Sequence, residues 1–305
     1  MPARILDGKG IADAVLADLR REVEAAAPRP PPSLALLRTV PTAAAEAYAR
    51  QLARACERAG IAFAARVLPP DADEGRIVRE IGACNGDPAT SGIILQMPLP
   101  AGIDPAAVRV HLDRAKDVER VNPTNLGFVV YARPALAPCT AMAVMEILDR
   151  AGVRLEGAEA VVVGHSEIVG KPLALLLLDR LATVTVCHIA TRDLAAHTRA
   201  ADVLVVAAGK AGLVTGGMVK PGAAVVDVGV NRVRTPDGGE GIAGDVDFAG
   251  VAPVAGVLTP VPGGVGPVTV AMVLRNAVVS WRRNVFENRE NIPGYASGNE
   301  QDKNE

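Results

Sequence analysis

Residues 160–172, AVVVGHSEIVGKP, run from an apolar stretch through a glycine turn into the start of a helix. A helix that opens directly after a buried parallel strand offers free backbone N–H groups, and these bind anions such as the phosphates of a dinucleotide. Gly164 and Gly170 let the backbone turn tightly and approach a pyrophosphate, with His165, Ser166 and Ile168 between them. The strict fingerprint G-x-G-x-x-G has a glycine where this chain has Ser166. Two readings are therefore open at this point, a nucleotide site and a tight strand-to-helix turn without a ligand. The next apolar run, ATVTVCH (182–188), continues IATR and lacks the acid that NAD sites place there for the ribose 2′-hydroxyl. With His165 in the first turn and Arg192 nearby, the missing acid favours a 2′-phosphate, hence NADP, with NAD as the alternative. His165 equally suits a solvated turn. Lys210 and Arg232 follow further strands, at the ends where such sheets bind ligands. In the first half, Tyr48 stands alone in the alanine-rich stretch AAEAYARQLARAC (44–56), which fits either core filling or chemistry.

The elements that must hold these residues alternate along the chain. Residues 43–59 read as a helix, 61–68 as a strand stopped by Pro69-Pro70, 71–85 as a helix, and 91–96 as a strand ended by MPLP. This order argues for a parallel sheet flanked by helices, an α/β fold. The pattern restarts after PALAPCT with a helix over 140–151, then strands at 160–164, 182–188, 201–209 and 223–229, a fifth from 256, and a helix over 268–283. Near-continuous Val, Ala and Leu runs suit strands buried on both faces. The expected division is a first domain over 1–137, a second over 138–267, and a polar, disordered tail over 290–305.

Composition narrows the classes. The chain has 305 residues, half of them hydrophobic but only 3% aromatic, so its core must be built from Ala, Val, Leu and Ile. The 32 basic residues nearly balance 34 acidic ones, without a basic stripe, so nucleic acid is not an expected partner. The run LALLLL (173–178) is too short to span a bilayer. The start MPARILDGKG lacks the apolar core of a signal peptide, so the expected location is the cytoplasm. Cys56, Cys84, Cys139 and Cys187 are scattered without metal-ligand spacing and read as reduced and structural, with no metal site.

Several motifs then combine: ILDGK (5–9), GIILQMPLP (92–100), KDVE (116–119), NPTNLG (122–127), PCT (138–140), GHSEIVGKP (164–172), DVGVNR (227–232), GDVDF (244–248) and TPVPGGVGPVT (259–269). In this order the chain resembles the methylenetetrahydrofolate dehydrogenase/methenyltetrahydrofolate cyclohydrolase family of FolD type, over about residues 4–283. The resemblance implies two α/β domains with a cleft between them: an N-terminal folate-binding domain and a C-terminal Rossmann-like parallel sheet that binds NADP. A final helix returns to the first domain. It also implies a homodimer, tetrahydrofolate one-carbon derivatives as substrates, and no membrane partner. Cofactor contacts fall on Gly164, His165, Ser166, Ile168, Arg192, Gly209, Val230 and Thr269, and folate contacts on Tyr48, Gln96, Glu119, Pro262 and Gly263.

The family's folate site pairs a Tyr with a Lys four residues on, one helical turn apart. The Tyr matches Tyr48, but the lysine position holds Leu52, which cannot donate, accept or titrate. Gln51 shares the face but is no base, and Arg50 and Arg54 point elsewhere. Gln96 matches the glutamine that contacts lysine and substrate. Glu119 matches the folate-binding Asp of K-D-V-D-G, with Arg120 in place of the Gly, and Ile189 stands where Ser or Arg is common. The expected function is NADP-dependent oxidation of methylenetetrahydrofolate with weak or absent cyclohydrolase activity. The alternatives are a fully bifunctional enzyme, a paralogue acting on a modified folate or another one-carbon carrier, and a non-catalytic nucleotide-binding protein.

Overall fold

A computed structural model describes residues 2–132, 137–234 and 238–286. In chain order the elements are β1 (Arg4–Ile5), α1 (Gly8–Ala25), β2 (Ser33–Arg38), α2 (Ala43–Ala59), β3 (Ala62–Val67), α3 (Glu74–Gly86), β4 (Gly92–Leu95), α4 (Pro105–Arg109), α5 (Pro123–Val130) and α6 (Cys139–Arg150). They continue with β5 (Glu159–Val163), α7 (Gly170–Asp179), β6 (Thr183–Cys187), α8 (Leu194–Thr198), β7 (Val203–Val206), β8 (Ala224–Asp227), β9 (Asn231–Arg234), β10 (Glu240–Ala243), α9 (Phe248–Val251), β11 (Val257–Leu258) and α10 (Val265–Phe286). The tail over 290–305 lies outside the described residues.

Two parallel sheets carry the fold. The smaller has the order β3-β2-β4, and the larger β1-β11-β8-β7-β5-β6. Strands β4, β7 and β8 are buried at every position, which is why their sequences, GIIL, VLVV and AVVD, are near-continuous apolar runs rather than alternating ones, with Asp227 closing β8. The chain's start departs from the expected division at 137. Arg4 and Ile5 pair with Val257 and Leu258 at the edge of the larger sheet, so β1 belongs with the second half. A two-residue strand carries no periodicity that could reveal this. The antiparallel pair β9–β10 was likewise unanticipated.

Helix α2 shows why the site helix forms where it does. The Thr42 hydroxyl accepts the Ala45 N–H at 3.0 Å and caps the first turn, a contact of about 1 kcal/mol in typical helices. Gly60, at φ 72°, ends the helix in the left-handed conformation that glycine adopts without a Cβ penalty. Between them Ala45, Ala49, Leu52, Cys56 and Ala59 repeat at helical spacing and face the core. The last helix, α10, starts three residues before the expected 268. It packs against α1, α2 and α6, and its Trp281 indole donates to the Pro30 carbonyl at 3.1 Å. It thus returns to the first half of the chain and ties the two halves together. Among the described residues no helix is long and apolar enough to cross a membrane, and no group of His, Cys, Asp or Glu could hold a metal ion.

Candidate active site

In the first half, groups from four segments converge. Tyr48 lies on the first half of α2, partly open to solvent. Burial is the main cause that pushes its phenol well above the usual range, and the charges of Glu119 and Cys139 add to it. Glu119 follows the buried segment Lys116–Val118 and is also half-buried. Its carboxyl is pushed up to about 7, chiefly by burial, with Asp117 adding to the rise and Arg109 opposing it. At that value a carboxyl exchanges a proton near neutral pH. Cys139 opens α6 beneath them. Its thiol donates to the Val118 carbonyl at 3.1 Å, and burial, with Glu119, holds it protonated.

Neighbours in the 116–120 segment have structural duties. The Lys116 ammonium donates to the Cys84, Asn85 and Asp87 carbonyls at 3.2, 2.7 and 2.7 Å. Asp117 accepts the Asn122 N–H and the Asn125 amide, which orients the start of α5. Arg120 is buried at φ 60°, a conformation in which non-glycine residues are uncommon. Its guanidinium donates to the Arg114 carbonyl at 3.0 Å and to the Ser280 hydroxyl on α10 at 3.3 Å. The residue that reads as a departure in sequence is therefore a tether.

Gln96 follows β4 directly, at the carboxyl edge of the smaller sheet. Its side-chain amide donates to the Ala45 carbonyl at 2.9 Å, which fixes it against the first turn of α2. The Gln96 Oε1 is buried and has no hydrogen-bond partner among the described residues. Buried carbonyl oxygens are ordinarily satisfied, so this one is left to accept from a group outside the described residues. Leu52, one turn after Tyr48, is fully buried in the main core.

The second half builds the crevice that its sequence suggests. Strand β5 lies between β6 and β7, the point where strand order reverses and ligands bind in open α/β sheets. A Cβ on Gly164 would sit 2.1 Å from the Ala207 carbonyl oxygen, and one on Gly170 would sit 2.0 Å from the Gly164 oxygen. Only glycine lets these three backbones meet. No side chain caps α7; the Lys171 N–H donates to the Ser166 carbonyl at 3.1 Å and Pro172 has no N–H, so the Gly170 N–H is the group of this first turn left for a ligand. His165, Ser166, Ile168, Arg192, Gly209 and Val230 are all exposed around this edge, as open crevice walls should be. Ile189 is wholly exposed. The His165 and His188 rings lie 5.3 Å apart, and His188 Nδ1 accepts the Ala190 N–H, so its Nε2 remains to donate outward. These residues fit a dinucleotide. Thr269 differs, since its hydroxyl donates to the Val265 carbonyl within α10 at 3.1 Å.

The loop TPVPGG joins the halves. Val261–Pro262 is cis, Gly263 has φ 103°, and the Gly264 carbonyl presses on Gly8 so closely that a Cβ there would lie 1.8 Å away. The glycine of ILDGK is thereby explained as a contact for this loop, with the Asp7 side chain capping α1 through the Lys9 N–H. Sequence reasoning missed the roles of Cys139, Arg120, Asp227 and Asp245. The motifs PCT, DVGVNR and GDVDF carried the signal without a geometry to interpret it.

Comparison with known proteins agrees with this arrangement. Residues 6–119 match the tetrahydrofolate dehydrogenase/cyclohydrolase catalytic domain, and residues 138–285 match the NAD(P)-binding domain of the same family. A bifunctional protein FolD from Rhodobacter capsulatus is 49% identical over 283 residues, covering 92% of this chain and 94% of its own length. Another from an Azoarcus species is 46% identical over 285 residues, covering 93% of this chain and 98% of its own. The solved Trypanosoma brucei N5,N10-methylenetetrahydrofolate dehydrogenase-cyclohydrolase, complexed with NADP cofactor and inhibitor, has a TM-score of 0.89 and 37% identity. It covers 94% of this chain and 100% of the solved one. The chain belongs to the tetrahydrofolate dehydrogenase/cyclohydrolase family.

Proposed function

We propose that this chain oxidises 5,10-methylenetetrahydrofolate with NADP⁺ and hydrolyses the methenyl product weakly or not at all. The folate lies against Tyr48, Gln96 and Glu119, and the cofactor in the crevice beyond β5, β7 and β8. When bound, NADP⁺ supplies the hydride acceptor. The protein's work in that step is to hold two rings face to face and exclude water. Tyr48 offers a ring for stacking. Glu119 accepts from the amino and ring N–H groups of the pterin, and Pro262 and Gly263 close the side nearest the cofactor. The folate nitrogen's own lone pair drives hydride loss, so no strong base is required.

Hydrolysis of the methenyl cation differs, because water must lose a proton as it adds. A positioned acid or base contributes about 10²–10⁴-fold to such steps. The observation that carries the proposal is Leu52 itself, a fully buried aliphatic side chain one turn after Tyr48, at the position where the family resemblance puts lysine. Leucine cannot donate, accept or titrate, so this position supplies no group for that proton transfer. A second reading is favoured by one observation. Glu119, with its carboxyl near 7, could take the water's proton itself and make the enzyme bifunctional. One assay decides between them. Purified protein should reduce NADP⁺ with methylenetetrahydrofolate while methenyltetrahydrofolate decays at the buffer rate. Enzyme-dependent methenyl decay would establish the bifunctional reading instead.

A further inference from the structure

In the motifs DVGVNR and GDVDF, Asp227 and Asp245 have no part in the chemistry above, yet each lies beside the crevice. Neither carboxylate faces it. Asp245 is fully buried and Asp227 nearly so. Buried carboxylates cost several kcal/mol unless they are fully hydrogen-bonded, and apolar packing would fill the same space without that cost. Here the bonding is extensive. Asp245 accepts the backbone N–H groups of Ala208, Gly209 and Lys210 at 2.6, 2.8 and 2.8 Å, and the Asn231 side-chain amide at 2.8 Å. Asp227 accepts the N–H groups of Gly229, Asp245 and Val246 at 2.9, 3.0 and 2.9 Å. Its own N–H donates to the Thr259 hydroxyl at 2.8 Å. The surroundings admit nothing larger. A Cβ on Gly229 would lie 2.2 Å from the Asp245 carboxyl carbon, and one on Gly244 would lie 1.9 Å from an Asp227 oxygen and 2.9 Å from the Val261 side chain.

These contacts form a relay. Asp227, at the end of β8, fixes the backbone of Asp245 and Val246. Asp245 fixes the loop after β7. Asn231 joins the start of β9, and Thr259 joins the loop that carries Pro262 and Gly263. We propose that Asp245 and Asp227 are positioning residues for hydride transfer, which set the loops after β7 and β8 beside the cofactor crevice and the loop that carries Pro262 and Gly263. The inference rests on the dehydrogenase reading above. Neither residue touches substrate or cofactor. Each acts through loop backbone, and its removal changes ring-to-ring geometry rather than the presence of a reacting group.

The test is Asp245→Asn, which keeps the volume but replaces an acceptor oxygen by a donor amide. In the cofactor-free protein, amide exchange at Ala208, Gly209 and Lys210 should accelerate at least about tenfold, as expected when a local opening becomes easier. By calorimetry the Kd for NADP⁺ should rise about tenfold, while folate-analogue affinity stays unchanged. With substrate deuterated at the methylene carbon, the isotope effect on kcat should increase, because hydride transfer becomes more rate-limiting. A lower Tm with unchanged exchange at 208–210, unchanged Kd and an unchanged isotope effect would mean that the carboxylate only stabilises the fold, and would overturn the proposal. If Asp245→Asn does not fold, Asn231→Ala decides. It removes one donor, keeps both carboxylates, and should shift Kd and isotope effect in the same direction by a smaller factor. No shift overturns the proposal. The wild-type protein separates the two claims. If it binds NADP⁺ but turns over no methylenetetrahydrofolate, the dehydrogenase reading fails. Wild-type turnover with the variants unaltered defeats only the positioning role.

Discussion

The two halves of the cleft treat their buried polar atoms in opposite ways. On the nucleotide side, Asp227 and Asp245 accept seven hydrogen bonds between them, three and four respectively, and the loops are set before any ligand arrives. On the folate side, Gln96 Oε1 and Asp117 Oδ1 have no partner among the described residues, and Glu119 is desolvated enough to titrate near 7. A site made of satisfied backbone contacts tolerates changes in the side chains it exposes, such as Ile189, because the loops do not depend on them. A site made of partly satisfied side chains depends on each one. Under the proposed function, Leu52 is therefore the departure to test before those around the cofactor.

The largest expected effect breaks this comparison at Glu119. Replacing it by Gln removes the charge that would bind the pterin, and a hydrogen bond to a charged group contributes about 1.5–3 kcal/mol. Glu119→Gln should therefore lower kcat/KM for the folate about 10²-fold and leave the Kd for NADP⁺ unchanged, as read by steady-state kinetics and calorimetry. Stability should move the other way. The folded-state value, about 7, is raised above the ordinary 4.5, so folding favours the protonated form. The stability this group contributes is complete below about 4.5 and is lost as pH rises through 7. Glu119→Gln, which never ionises, should be more stable than wild type by about 1–3 kcal/mol at pH 8, with the gap closing by pH 5. Melting curves across that range check the sign. A gap that does not change with pH would mean that Glu119 is solvated like a surface carboxylate.

A second substitution sharpens the comparison by placing a titratable donor one turn after Tyr48. Leu52→Lys places an ammonium at a fully buried position, at a cost of about 2–4 kcal/mol in stability. It should also raise methenyl hydrolysis about 10²-fold over wild type, the low end of what a positioned acid or base delivers. A folded variant that keeps dehydrogenase activity but gains no hydrolysis would show that more than one residue of the folate face has been altered.

Much of this was legible in the sequence, and the reasons are physical. Buried parallel strands announce themselves as unbroken apolar runs, so β4, β5, β7 and β8 were expected close to where they lie. Gly164 and Gly170 were readable because only glycine permits the backbone contacts found there. Tyr48 and Leu52 were readable because helical spacing is a local rule. The rest depended on tertiary contact. The pairing of β1 with β11 joins residues some 250 positions apart in sequence. The duty of Asp245 is defined by N–H groups from another loop, and a carboxylate in sequence looks the same whether it faces water, ligand or backbone. Arg120 illustrates the same limit, since its sequence neighbours give no hint that its partner is Ser280.

Arg120 also offers the smallest and most discriminating prediction. Its left-handed conformation costs of order 1 kcal/mol for a residue with a Cβ, and glycine would not bear that cost. Its guanidinium returns stability through Arg114 and through Ser280 on the last helix. The two contributions separate with a pair of variants. Arg120→Ala keeps the strain and loses the tether, whereas Arg120→Gly loses both. Arg120→Ala should destabilise the protein by about 2 kcal/mol, and Arg120→Gly by about 1 kcal/mol, as judged by denaturant midpoints at constant m. Both should raise the folate KM severalfold, because the tether holds the backbone beside Glu119, and neither should alter NADP⁺ affinity. If Arg120→Gly instead matches wild type in stability and in folate KM, the tether contributes nothing beyond offsetting its own strain. The folate side would then owe its form to Lys116 and Asp117 alone.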